Sequence, residues 1–127
     1  MARHNRIGQI GENIAVKYLR NKGYTIIDRN FRVYYGEIDI ICKKEGVLHI
    51  VEVKTVSRDT IGGDSDSKKG FRPEDNMHQK KLERLHKAIE IYLSERKLMN
   101  SKWQLDLITV EYSETEKKAR VDMMQIV

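Results

Sequence analysis

One proline and one cysteine occur in 127 residues, and aromatic residues make up only 7% of the chain. A single proline leaves long regular elements with few breakers. A single cysteine, Cys42, excludes an internal disulfide framework and suits a reducing compartment. It also excludes a zinc site built on several thiolates, and His4, His49, His78 and His86 do not stand at ligand spacing. No apolar run approaches the roughly 20 residues that a membrane-spanning helix needs. The start Met-Ala-Arg-His-Asn-Arg carries no signal-type apolar stretch, so a cytoplasmic protein with no membrane partner is expected. Gly62-Gly63 is not followed by Gly-Lys-Ser/Thr, which excludes a phosphate-binding loop of that type. No Gly-x-Ser-x-Gly nucleophile elbow occurs either.

What is present describes a polar globular chain. Hydrophobic residues make up 39% and charged residues 34%. The length predicts one domain spanning residues 1–127. The formal net charge of +5 favours polyanionic partners such as nucleic acid, although many small soluble proteins are mildly basic.

Apolar periodicity gives the element order. Ile7, Ile10, Ile14 and Tyr18, flanked by Ala15 and Leu19, predict a helix from about Ile7 to Lys22, closed by Gly23. Gly8 and Gly11 are unusual inside a helix and suggest close backbone approach near Glu12. Tyr24–Ile27 and Arg29–Tyr35 read as extended. Glu37–Ile41 and Val47–Val56 read as a hairpin around Lys43–Gly46, and Val47–Val51 is apolar on both faces, as in a central strand. The stretch 57–76 is a long loop rich in Gly, Ser and Asp, of a kind that is usually functional or disordered. A second helix follows, with Asn76 and Gln79 as a capping box and Leu82, Leu85, Ile89, Tyr92 and Leu93 as its stripe. Trp103–Tyr112 and Arg120–Val127 complete an α-β-β-β-α-β-β order. That order fits an α/β fold with one mixed central sheet flanked by helices.

The residues that carry chemistry are Glu37-Ile-Asp39 and, across the hairpin, Glu52-Val-Lys54. Acid-x-Lys triplets also occur at Asp66–Lys68, Glu95–Lys97 and Glu116–Lys118, so the bare pattern means little. Only Glu52-Val-Lys54 lies in an apolar strand, where charge is costly unless paired or used. If Glu45-Gly46 is a two-residue turn, Lys44 faces Val47, Asp39 faces Glu52 and Glu37 faces Lys54. Opposed Cβ atoms then lie about 4.5–5.5 Å apart, with all four side chains on one face. A four-residue loop would keep that shared face, and a three-residue loop would break it. Two such carboxylates repel and stay ionised together only around a cation. Mg²⁺ or Mn²⁺ suits oxygen donors, and Lys54 is placed to orient water and stabilise developing charge. The kit is the minimum for phosphodiester hydrolysis. The competing reading, a structural ion-pair cluster, leaves two opposed acids with one lysine.

Gly11-Glu12, Gly36-Glu-Ile-Asp39, Glu52-Val-Lys54, Lys81 with Ala88…Tyr92-Leu93, and Leu105-Asp106 together resemble the YraN-type bacterial proteins. That family is similar to archaeal Holliday-junction resolvases within the restriction-endonuclease-like fold. The resemblance implies Asp39 and Glu52 as metal ligands, Lys54 as the catalytic lysine and Glu12 reaching the site from the first helix, where it is a third candidate ligand. Trp103-Gln104 departs from the family's basic-then-aromatic pattern and leaves the role of Asp106 open. Glu37 stands beside the set as a further candidate. The expected function is a metal-dependent endonuclease acting on DNA rather than RNA, on branched or flapped forms, with a homodimer favoured by a resolvase-like role. The alternative is a non-catalytic nucleic-acid-binding module of the same fold. Lys68, Lys69, Arg72, Lys80, Lys81 and Arg84 are candidate phosphate contacts, although a basic helical run is commonly only a solvated face. Arg29, Arg32, Tyr34 and Tyr35 mix basic and aromatic residues that either contact a strand or solvate a sheet edge.

Overall fold

The computed structural model describes residues 3–61 and 79–127. Helix α1 (Arg3–Asn21) leads into strands β1 (Thr25–Val33), β2 (Gly36–Lys44) and β3 (Val47–Ser57). Helix α2 (Gln79–Glu95) and strands β4 (Trp103–Ser113) and β5 (Lys118–Gln125) follow, in the order expected. The five strands form one sheet in sequence order. All neighbours are antiparallel except β3 and β4, which run parallel. A parallel pair needs a long crossover, and α2 lies within that connection.

The two helices cover opposite faces. Ala15, Val16 and Leu19 of α1 pack on Ile40, Cys42, Val51, Ile108 and Val110. Leu85, Ala88, Ile89, Tyr92 and Leu93 of α2 pack with Ile41, Leu48, Ile50, Leu105 and Leu107. This explains the continuous apolar run of β3: its alternate side chains enter two different cores. Among the described residues, no helix is long and apolar enough to cross a membrane.

Local chemistry explains the boundaries. Gly23 has φ +91° and follows α1. Its N–H donates to the Arg20 carbonyl while the Tyr24 N–H donates to the Leu19 carbonyl, which is the Schellman closure. The two extended pieces expected before Gly36 form one strand. The register shifts between Ile26 and Asp28, so the interruption in the pattern is a β-bulge and not a strand end. At the β2–β3 hairpin, Glu45 (φ 51°) and Gly46 (φ 79°) both take positive φ, as a two-residue type I′ turn requires. Lys44 therefore pairs with Val47, as expected.

The glycine expectation holds at one position only. A Cβ on Gly11 would lie 1.8 Å from Thr55 Oγ1, so α1 touches β3 there, one residue before Glu12. A Cβ on Gly8 would meet nothing within 4 Å. Most of the expected loop 57–76 lies outside the described residues, as do Asn76 of the capping box and the candidate contacts Lys68, Lys69 and Arg72.

Candidate active site

The β2–β3 ladder is paired from Lys44↔Val47 to Ile40↔Val51 and ends there, so the expected pairs Asp39–Glu52 and Glu37–Lys54 are not part of it, and Glu37 turns instead to Asn30 and Arg32 of β1. Beyond it the Asp39 carboxylate takes over: its Oδ2 accepts the Val53 N–H at 2.8 Å. A side-chain oxygen thus satisfies an amide that has no carbonyl partner on β2. The two strands part at this point, and Asp39 and Glu52 lie in the opening.

Both carboxyls are titrated away from their ordinary range. Burial, then the field of Asp39, pushes the Glu52 carboxyl up to about 8, against the Lys81 ammonium and the Asp39 backbone amide. Burial also raises Asp39 to about 6; the Val53 N–H and Lys81 oppose the shift, and Glu12 and Glu37 add to it. Glu52 is only 8% exposed, and its Oε1 is buried without a hydrogen-bond partner. An orphaned buried carboxylate oxygen is rare in native proteins and asks for a missing partner. Hard oxygen donors of this kind suit a divalent cation held by one or two carboxylates, with waters and a phosphate completing its shell. Among the described residues, no three His, Cys, Asp or Glu side chains converge into a metal cage.

Glu12 and Glu37 stand around this pair. The Asn30 side-chain amide bridges them, donating to Glu12 Oε2 at 3.1 Å and to Glu37 Oε1 at 2.9 Å. Arg29 holds the other Glu12 oxygen at 3.0 Å, and Arg32 pairs with Glu37 at 3.3 Å. Glu12 of α1 stands near enough for its charge to act on Asp39, with both its oxygens engaged by Arg29 and Asn30 of β1. Asn30 itself sits at φ 54°, the left-handed region that Asn tolerates better than other side chains. Nothing in the pattern of β1 marked Asn30 as a bridge; the one available signal was an Asn inside a strand, where that residue is depleted.

The cations separate. Lys54 is exposed, two residues beyond Glu52 on β3. Lys81, expected only as a phosphate contact, is the lysine whose charge acts on both Asp39 and Glu52. A cavity of about 740 Å³ opens beside Glu52, lined by Tyr35 and Glu37 and by Lys80, Lys81, Arg84 and Leu85 of α2. The basic run of α2 thus faces the carboxylates. Its Lys87 packs over the Tyr35 ring at 4.8 Å from the ring centre.

Asp106 is not part of this group. It pairs in register with Val51, so strand alternation turns it to the α1 face, away from Glu52. It is 1% exposed, and its oxygens meet His49 Nδ1 at 2.6 Å and the Gln104 amide at 2.7 Å. Gln104, the departure from the family pattern, is thus one of the groups that satisfy Asp106. Burial and the Asp106 charge push the nearby Cys42 thiol up to about 12, which leaves it inert.

Fold and site together define a class: a mixed-sheet α/β protein presenting two buried carboxylates from parted central strands beside a basic helix. Comparison with known proteins gives the family. The model of the uncharacterised protein family UPF0102 matches residues 11–126. A UPF0102 protein of Alkaliphilus oremlandii is 34% identical over 122 residues, covering 96% of this chain and 97% of its own. One from Persephonella marina is 37% identical over 103 residues, covering 81% of each. One from Flavobacterium psychrophilum is 40% identical over 93 residues, covering 73% of this chain and 71% of its own. The chain belongs to the UPF0102 family.

Proposed function

We propose that this protein is a Mg²⁺- or Mn²⁺-dependent endonuclease that hydrolyses phosphodiester bonds in DNA. The observation that carries the reading is the Asp39–Glu52 pair. Two carboxyls are buried together in the gap between parted strands, each raised by burial, and Glu52 Oε1 has no partner. Asp39 and Glu52 are the residues to hold the cation, with Glu12 and Glu37 in the surrounding acidic group. When bound, such an ion supplies Lewis-acid polarisation of a phosphoryl oxygen and a lowered pKa for water. Glu52 loses its proton to become a donor. Lys54 and Lys81 offer positive charge to the phosphoryl oxygens as charge develops there. Lys80 and Arg84 line the adjoining cavity and are placed to hold neighbouring phosphates. The resemblance to Holliday-junction resolvases points to branched or flapped DNA, and to a homodimer with two sites.

The test is a cleavage panel over single-stranded, duplex, flap and four-way DNA with Mg²⁺ and Mn²⁺. Wild type should cut, and Asp39→Ala and Lys54→Ala should not, while both still bind DNA. Cutting that survives both substitutions would show that the activity is not this protein's. A second reading, a binding module without turnover, is favoured by the basic run Lys80, Lys81 and Arg84 along the cavity, which suits phosphates whether or not they are cut. It predicts salt-sensitive DNA binding with no cutting in any arm.

A further inference from the structure

The turn between β1 and β2 carries an aromatic pair that the carboxylate chemistry does not use. Val33 pairs with Gly36, so Tyr34 and Tyr35 are the two turn residues. Neither has positive φ, and neither belongs to the Gly, Asn, Asp, Pro and Ser group that tight turns select. Backbone geometry therefore gives no reason for two tyrosines. Tyr34 is 97% exposed, although an aromatic ring is among the side chains that gain most from burial. Its ring stands edge-on to Tyr35, with centres 5.4 Å apart and planes at 88°.

Tyr35 is anchored. Lys87 of α2 sits over its ring, and it lines the same cavity as Glu52, Glu37 and Lys81. A partly covered tyrosine thus stands edge-to-face with an exposed one at the rim of the candidate site. Tyr34 is five residues before Asp39, at most about 17 Å of extended chain. One nucleic-acid strand can span both. Exposed aromatic faces combined with cations along a groove are how proteins hold unpaired nucleotides: bases stack while Lys and Arg follow the phosphates. A base inside an intact duplex is covered on both faces and cannot stack on a side chain. Only an unpaired or terminal base can.

We propose that Tyr34 is a stacking platform for an unpaired base, and that Lys80, Lys81 and Arg84 hold the phosphates of the same strand. Resting on the nuclease reading for the word substrate, this makes the substrate class DNA with unpaired nucleotides beside the cut, not fully matched duplex.

The experiment uses the full chain and three labelled DNAs: a matched duplex, a single strand, and a splayed-arm duplex with 2-aminopurine as the first unpaired base. Affinity is read by anisotropy in EDTA, and stacking by 2-aminopurine quenching. Tyr34→Ala should weaken single-strand and splayed-arm binding about tenfold, the order expected for one lost base–aromatic stack, and abolish the quenching. Matched-duplex affinity should change less than about twofold. Tyr34→Phe keeps the ring and should behave as wild type. Equal weakening on all three DNAs, unchanged binding in Tyr34→Ala, or no quenching by wild type would each overturn the platform. Quenching by wild type without Mg²⁺- or Mn²⁺-dependent cutting would remove the nuclease reading and leave the platform standing. Cutting of all DNAs by Tyr34→Ala at the wild-type rate would do the reverse.

Discussion

Replacing Glu52 by glutamine should stabilise the metal-free protein, by an amount that grows from about pH 4.5 and is complete above about pH 8. The folded Glu52 carboxyl titrates at about 8 because it is buried and faces Asp39, against an ordinary value of 4.5. A carboxyl raised by folding has its sign fixed. Below about pH 4.5 it is neutral in both states and adds no pH dependence. Between about 4.5 and 8 the unfolded chain releases the proton and the folded chain keeps it, so stability falls as pH rises. Above about 8 the loss is complete, on the order of 3–5 kcal/mol at about 1.4 kcal/mol per pH unit. Glutamine keeps the shape and removes the charge. Glu52→Gln should therefore unfold at a similar temperature to wild type at pH 4.5 and roughly 10 °C higher at pH 8.5, at about 2–4 °C or a little more per kcal/mol for this chain length. Thermal unfolding followed by circular dichroism in EDTA reads this directly. Adding Mg²⁺ or Mn²⁺ at pH 8.5 should raise the wild-type midpoint and leave Glu52→Gln unmoved, since a ligand for the ionised pair stabilises only the state that binds it. A Glu52→Gln variant that is less stable than wild type at pH 8.5, or whose difference from wild type does not change with pH, would refute the reasoning.

Three further predictions test the surroundings. Gly11→Ala should cost about 1–3 kcal/mol, measured by urea unfolding, because its Cβ would fall on Thr55; Thr55→Ala removes the two nearest atoms and should return part of that loss. Asp106→Ala should destabilise by roughly 2–4 kcal/mol by stranding His49 and Gln104, while DNA affinity measured under folded conditions stays within about twofold; a selective loss of cutting in a fully stable variant would contradict the structural assignment. Lys81→Met removes the cation that lowers both site carboxyls, so the acid limb of the pH–rate profile for cleavage should move to higher pH; an unmoved limb would show that Lys81 does not act on the pair.

The register of the central hairpin was readable from local chemistry. Alternation has a period of two, and Glu45-Gly46 accepts the two positive φ values of a type I′ turn. Together these fix the pairing from Lys44↔Val47 to Ile40↔Val51, the pair next to Asp39 and Glu52. The helix stripes were readable for the same reason: Leu85, Ile89, Tyr92 and Leu93 repeat at helical spacing and are buried. What alternation could not say is where pairing stops. The Asp39 carboxylate replaces a carbonyl as acceptor for Val53, which belongs to side-chain geometry and leaves no periodic trace.

Sequence by itself determined the order of elements and the pairing of β2 with β3, because each follows from interactions between near neighbours in the chain. Tertiary structure alone decided three other matters. It set α2 on the sheet so that Lys81 faces the carboxylates, it brought Asn30 between Glu12 and Glu37, and it turned Asp106 to His49 on the opposite face. Those contacts join residues far apart in sequence through a parallel strand pair and two helix dockings. They are fixed by how the apolar faces of α1 and α2 pack on the sheet, and packing between distant segments has no short-range signature in the order of residues.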